Sequence, residues 1–389
     1  MSDRTIARTR PGMLRHPIHL GLGLVALTVA PAAAWAADAY LPIVLPVTGF
    51  MSVEGGSQRN GALMAIEHAP ASLKAEAPVF DTGTSATGAA TALDKALSEK
   101  PALAASVSVF GTEMVAMAPM AQDYQVPLLT ISGLAQLTES GNPYIFRFLP
   151  NDREIKVAHA RYVVEKLNKT KPALIGDTTA YGQGGFKLLQ EDFAKLNINL
   201  AMAESVEPDT RDMSSIVTKI KESGADVLVI HTVAQPMALL IKQARTAGLD
   251  IPIVTSSSLV EPQATALFDP AELKSTCSET PSAPEARVTP EISAWADAYE
   301  ARFKQPPDGL ALGQYDGVMM ALSLIAGGAT TPDLLAKALN TTTYKGVAMT
   351  YKSNGKGDMA HNAEIVCWDG TSRIPKIAAE YSGDELALK

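Results

Sequence analysis

Ala104-Ala105-Ser106-Val107-Ser108-Val109-Phe110, followed at once by Gly111-Thr112-Glu113 and then by Met114, Met117 and Met120, sets the fold class. Residues 104–110 are an apolar run with β-branched members, the pattern of a strand buried on both faces. Gly111-Thr112-Glu113 is a small, polar turn of the kind that opens a helix. The methionines recur three apart and lay a core-filling stripe along that helix. A strand that ends in such a turn and feeds an amphipathic helix is half of a βαβ unit.

The same rhythm runs outward in both directions. Upstream, Tyr40–Val47 reads as a strand, with a helix through Ala62, Ala65, Ile66 and Ala69, a short strand at Pro78–Phe80 and a helix over Ala89–Leu97. Downstream come strands at Val126–Ile131, Tyr144–Leu149, Ala173–Gly176, Asp226–Ile230 and Ile251–Thr255. Between and after them, apolar stripes predict helices through Phe186–Leu196, Met213–Ile220, Met237–Ala244, Ile292–Phe303 and Tyr315–Leu322. Gly248 stops one helix, and Thr331 before Pro332 caps another. Alternating strands and helices give an α/β protein with mostly parallel sheets.

The N-terminus reads as an export signal. Arg4, Arg8, Arg10 and Arg15 precede an apolar stretch from Ile18 to Ala30, and Ala34-Trp35-Ala36 is a small-x-small cleavage site. The stretch is short for a membrane span. No cysteine stands at the cleavage site, and Arg8 and Arg10 are not adjacent, so neither a lipid anchor nor a twin-arginine signal is expected. Gly21-Leu22-Gly23 falls in this segment, so its partial likeness to a dinucleotide fingerprint carries no meaning. Loss of residues 1–36 removes four Arg and one Asp and moves the net charge from −8 to −11. That acidity speaks against nucleic acid and anionic membranes as partners. The remaining 353 residues exceed a single core and call for two domains.

Cys277 and Cys367 are the two cysteines. In an exported chain they suggest one disulfide, with two independent thiols as the alternative. No histidine pairs with a cysteine at zinc-ligand spacing, so no metal is expected, and no cofactor motif occurs. There is no G-x-S-x-G elbow, Walker A sequence or H-E-x-x-H, and no carboxylate pair stands out by spacing. An enzyme is therefore not expected.

What does stand out is a set of turns after strands: Pro46–Gly49, Phe110–Glu113, Ile131–Gly133, Asp177–Gly182 and Ser256–Ser258. Exposed N–H groups at such places cradle anions, and ligands of α/β sheets sit at this edge.

Leu45–Gly49, Ile131-Ser132 and Tyr181–Gly184, together with Gln58–Ala62, Val126–Leu129, Phe146-Arg147, Ser223–Asp226, Gln243–Leu249 and Tyr315–Gly317, resemble the branched-chain amino-acid-binding family of periplasmic solute-binding proteins that serve ABC importers. The resemblance covers nearly the whole chain after residue 36. It implies a type I binding-protein fold, in which two lobes joined by a three-stranded hinge close on a ligand. The crossings fall near 149–153, 280–285 and 343–350. Lobe 1 is then 37–150 with 282–343, and lobe 2 is 151–281 with 344–389, which holds both cysteines. By the same resemblance Gly111, Thr112, Ser132, Gly133 and Ala135 grip a ligand carboxylate, Tyr181 covers the ligand from the second lobe, and Ser257 lies at the ligand.

Two departures bear on the ligand. Where the family's amino-acid binders place an acidic residue after the strand at Ile251–Thr255, this chain has Ser256-Ser257-Ser258, and Glu261 follows later. An aromatic expected after Asp226–Ile230 is replaced by Thr232-Val233-Ala234-Gln235. A buried ammonium needs an anion, so a carboxylate or amide without an ammonium fits at least as well, unless Glu113 or Glu261 points into the cleft. The expected function is capture of a small carboxylate-bearing ligand by a monomeric periplasmic carrier and delivery to an importer permease. The alternatives are a sensor on the same scaffold that signals to a receptor, and an exported α/β enzyme.

Overall fold

Residues 37–388 are described in the computed structural model; the expected export signal, residues 1–36, lies outside them. The strand–turn–helix rhythm is realised along the chain. The first stretch holds β1 (Ala37–Tyr40), β2 (Ile43–Leu45), α1 (Ser52–Glu67), β3 (Leu73–Glu76), β4 (Val79–Asp81), α2 (Ala86–Glu99), β5 (Ala105–Val107), α3 (Gly111–Tyr124), β6 (Leu128–Thr130), α4 (Gln136–Glu139) and β7 (Ile145–Arg147). Strand β5 is shorter than its apolar run because the next residues leave the ladder for side chains. Val109 N–H donates to Gln58 Oε1 at 2.9 Å, and Phe110 N–H donates to Ser108 Oγ at 2.9 Å. The backbone thus turns sharply into α3.

The second stretch holds α5 (Asp152–Arg161), β8 (Pro172–Asp177), α6 (Ala180–Lys195), β9 (Met202–Val206), α7 (Ser214–Glu222), β10 (Val227–His231), α8 (Ala234–Thr246), β11 (Ile253–Thr255), α9 (Pro262–Thr265) and β12 (Thr276–Thr280). The chain then adds α10 (Pro290–Phe303), α11 (Gly309–Ala326), α12 (Pro332–Thr341), β13 (Thr343–Lys345), β14 (Thr350–Lys352), β15 (Asn362–Trp368) and β16 (Lys376–Ser382).

Two principal sheets result. One is parallel throughout, in the order β4-β2-β5-β6-β7. The other runs β16-β15-β12-β11-β10-β8-β9, parallel from β12 to β9, with β15 antiparallel to both of its neighbours. Each is covered on both faces, as parallel sheets require. On the first sheet, α1 and α11 bury one face with Ala62, Met64, Leu312 and Leu322, and α2 and α3 bury the other with Leu93, Met114 and Met117. The methionine stripe is therefore core, with Met120 half-buried at its end. Helices α1 and α11 approach so closely that a Cβ on Gly61 would stand 2.0 Å from Ala311 O. On the second sheet, α7 and α8 supply Ile216, Ile220 and Ile241 to one face, while α5 and α6 supply Ile155 and Phe193 to the other.

The third crossing is not where the sequence reading put it. Strands β13 and β14 pair only with one another, and Tyr351, Met359 and Ala360 sit in the core of the first sheet. Buried Asp316 holds this hairpin, accepting from Val347 N–H and Ala348 N–H at 2.8 Å each and from Tyr351 Oη–H at 3.1 Å. Burial pushes its carboxyl up to about 6 despite those donors. Residues 344–360, assigned to the second lobe, thus pack with the first. The chain enters the second sheet at β15, where Ala363 and Ile365 join its core.

Cys277 and Cys367 are disulfide-bonded. They stand directly opposite each other on antiparallel β12 and β15, with Cα atoms 4.0 Å apart. The bond lies wholly within the second sheet.

Candidate functional site

The carboxyl ends of both parallel sheets face one another, and the turns that leave them enclose a cavity of ≈ 50 Å³ open to water-sized atoms. Its walls combine Met51, Glu54, Phe110, Gly111, Gly133 and Leu310 from the first lobe with Ile155, Tyr181, Val233, Ser257, Glu261 and Glu279 from the second. Asp152 lines it from the first crossing and Pro281 from the second.

The lobes touch around the cavity. Ala180 N–H donates to Thr112 Oγ1 at 3.4 Å, Asp152 N–H donates to Gly133 O at 2.7 Å, and Met51, Phe110 and Val233 form a buried apolar cluster. Gly111 is the close approach: a Cβ there would lie 3.4 Å from Tyr181 N.

Local chemistry fixes the turns. Asp177 ends β8 and is buried; its Oδ1 accepts from Thr179 N–H at 2.9 Å and its Oδ2 from Val233 N–H at 2.7 Å. One carboxylate thereby ties the starts of α6 and α8 together. Gly182 leaves room for it, since a Cβ would stand 2.1 Å from Asp177 Oδ1. Thr179 caps α6 by accepting from Gly182 N–H at 3.0 Å. Phe110, the cap of α3, offers no side-chain acceptor, so that helix start is uncapped beside the cavity, whereas at α8 the Val233 N–H is taken by Asp177.

In the first lobe the 131–135 loop is held from behind. Buried Arg147 donates from Nη1 to Ser132 O at 3.0 Å and to Leu134 O at 2.8 Å. Its Nε donates to Asp358 Oδ1 at 2.8 Å. Burial acts to raise the Asp358 carboxyl, but Arg147, Thr138 and Asn151 outweigh it and hold the group low.

The expected site residues divide. Gly111, Gly133, Tyr181 and Ser257 line the cavity together. Thr112, Ser132 and Ala135 are not among its lining. Thr112 spends its hydroxyl oxygen on the lobe–lobe bond. Ser132 is fully buried behind the loop, its N–H donating to Thr130 Oγ1 at 3.0 Å. Ala135 sits at the start of α4, facing a separate surface groove with Arg153 and Glu191. Of the two acidic candidates, Glu113 is buried elsewhere and accepts from Thr82 Oγ1 at 2.5 Å, whereas Glu261 does reach the cavity. Val233 occupies the wall where an aromatic was expected.

The electrostatics are one-sided. Glu54, Asp152, Glu261 and Glu279 line the cavity, and among the described residues no lysine, arginine or histidine does. Behind the wall, fully buried Lys156 donates to Glu279 Oε1, and its Nζ lies 3.5 Å from Asp152 Oδ1. His159 Nδ1 is 2.9 Å from Glu279 Oε2. Burial acts to raise Glu279, but Lys156 and His159 outweigh it and hold the carboxyl low. Burial likewise acts to lower Lys156, and Glu279, Tyr181 and Asp152 overcome it, so the ammonium stays charged. Asp152 is raised by its burial, with Lys156 opposing. Burial also pushes the Tyr181 hydroxyl up, which keeps it a hydrogen-bond donor. Across the cavity, burial raises Glu54 to about 7 and Glu261 well above its ordinary value, and Asp308 adds repulsion to both. Three lining oxygens, Glu54 Oε2, Asp152 Oδ2 and Glu261 Oε2, have no partner among the described residues.

Residues 39–372 match the family described as periplasmic binding protein. The chain belongs to that family. A relative in Pseudomonas aeruginosa, the leucine-, isoleucine-, valine-, threonine- and alanine-binding protein, is 24% identical over 81% of this chain and 85% of its own length. The Leu/Ile/Val-binding protein homolog 1 of Brucella suis is 25% identical over 89% of this chain and 94% of its own. A leucine binding protein of Thermotoga maritima has the same fold, with a TM-score of 0.81 at 21% identity over 89% of this chain and 99% of the other. So has a solute binding protein of R. palustris in complex with benzoate, with a TM-score of 0.81 at 15% identity over 89% and 97%. For this periplasmic binding protein, membership implies an extracytoplasmic place of work.

The sequence reading missed Glu54, Asp152 and Glu279 as site residues. Glu54 lies among Gly55, Ser57, Gln58 and Asn60, all on the buried side of α1. That run of polar residues on the inner face of a helix was the available clue.

Proposed function

We propose that this protein captures a small amino acid between its lobes and hands it to an ABC importer, without catalysis. The ligand's carboxylate is received by the amides at Gly111 and Gly133 and by the Tyr181 hydroxyl. Its ammonium is received by the carboxylates of the same cavity, with Asp152 at hand beside Gly133. The observation that carries the reading is the cavity wall, which joins the uncapped start of α3 to unpartnered carboxylate oxygens and, among the described residues, has no basic side chain. A benzoate-like ligand, bearing only negative charge, would meet four acidic residues and gain no ion pair. Asp152 thus reopens the ammonium recognition that the serines after β11 had put in doubt.

The mechanism is hinge closure. The three crossings between the lobes, near 149–152, 280–287 and 360–362, bend while the disulfide stays inside one lobe. Ligand contacts from both lobes favour the closed state over the open one. Cleavage of residues 1–36 delivers a freely diffusing monomer to the periplasm.

A thermal-shift series tests this with amino acids, aliphatic and aromatic carboxylates, amides and urea. Amino acids raise the melting temperature; at 100 times Kd the gain is about 2.7 kcal/mol. Stabilisation by benzoate or another simple carboxylate, with no amino acid active, would overturn the reading. Tyr181→Ala weakens the best ligand by about tenfold or more.

A further inference from the structure

The cavity holds more acid than one ammonium requires. Asp152 and Glu279 together carry two carboxyls and share Lys156, so a single ligand ammonium balances that side. Glu54 and Glu261 stand apart from this balance. Glu54 leaves the first turn of α1 in one lobe, and Glu261 precedes α9 in the other. They are 4% and 1% exposed, both line the cavity, and the Oε2 of each lacks a partner among the described residues. The further charged groups around them are acidic as well. Asp308 caps α11, accepting from Ala311 N–H at 2.8 Å and from Ser57 Oγ, and Glu285 lies near Asp308 with both oxygens unpartnered among the described residues.

A pair of buried carboxyls from opposite lobes, without a protein cation, is costly to keep in an apolar wall. An aliphatic side chain in the ligand would leave that cost standing. A cation placed between them would let both ionise and would cross-link the closed lobes.

We propose that Glu54 and Glu261 form a second subsite of the cavity, which takes a cationic group on the ligand's side chain. The substrate class is then a basic, diamino-type amino acid rather than an aliphatic one. The inference rests on the amino-acid reading above and names the kind of amino acid. The cation displaces the protons held by the pair, so binding is linked to proton release. Glu54, raised by burial to about 7, and Glu261, raised by burial well above its ordinary value, supply those protons.

The test is titration calorimetry on the intact protein at pH 7 with matched ligands, ornithine against norvaline and lysine against norleucine. Each pair differs by one ammonium group. Every titration is repeated in two buffers of different ionisation enthalpy, which counts protons without any mutation. At least one basic ligand is expected to bind about tenfold or more tighter than its aliphatic partner, with net proton release on the basic ligand alone. In Glu54→Gln/Glu261→Gln that preference is expected to shrink to about threefold or less. Aliphatic ligands that bind as tightly as their partners, or basic ligands that bind with no proton release, would overturn the inference and leave the amino-acid reading intact. Failure of all four, with benzoate binding, would overturn both.

Discussion

The cavity's two acidic clusters look alike in composition and differ in one residue. Asp152 and Glu279 surround Lys156, which is fully buried and charged, and Glu279 is held low by it. Glu54 and Glu261 have the same burial and no cation, and both are held high. The first cluster carries its own cation and lacks one further positive charge, which the ligand's ammonium supplies. The second is incomplete within the protein, and its completion falls to the ligand. The contrast teaches that burial alone says little about a carboxylate's task; what matters is whether the chain supplies the opposite charge.

The largest effect comes from making the first cluster resemble the second. Lys156→Met removes the cation and leaves Glu279 and Asp152 buried against each other. Stability is expected to fall by about 3–5 kcal/mol, read by urea denaturation. A loss below about 1 kcal/mol would mean that the network is not what holds this wall.

The opposite change relieves the second cluster. A carboxyl whose proton is held more tightly in the folded chain costs stability as pH rises from its unfolded value through its folded one. For Glu54 that window runs from 4.5 to about 7. Without ligand, Glu54→Gln is therefore expected to stabilise the protein at pH 8 by up to about 3 kcal/mol relative to pH 4. Melting curves across that range check it. An unchanged pH slope would show that Glu54 titrates alike in the folded and unfolded chain.

The smallest effect sharpens the role of closure. Thr112→Val removes the acceptor of the 3.4 Å bond from Ala180 N–H. Ligand affinity is expected to drop by less than about tenfold, through the closed state rather than through ligand contact. A hundredfold loss would restore Thr112 as a direct ligand contact.

Much of the fold was legible because local rules agreed with it. The Thr331-Pro332 cap is realised as read, with Thr331 accepting from Leu334 N–H at 3.3 Å. Gly248 takes the positive φ of 74° that its place after α8 requires. The third crossing rested on the family resemblance, which put it at residues 343–350, and not on a local pattern of those residues. Only the distant Asp316 shows that they fold into a separate hairpin on the first lobe. At the site, Gly111, Gly133 and Tyr181, expected from the family resemblance, line the cavity. Asp152, Glu54 and Glu279 escaped because periodicity rewards apolar positions and is silent on a polar residue facing inward. Ser132 and Ala135, expected from the same resemblance, are not in the cavity lining, and buried Arg147 holds the carbonyls of Ser132 and Leu134 in that loop.

The central claim is that one cavity reads both ends of an amino acid. Equilibrium titration of the best-binding amino acid against two analogues tests it most directly, one lacking the α-ammonium and one lacking the carboxylate. The account predicts that each deletion weakens binding by about tenfold or more. An analogue without the ammonium that binds as tightly as the amino acid would contradict it.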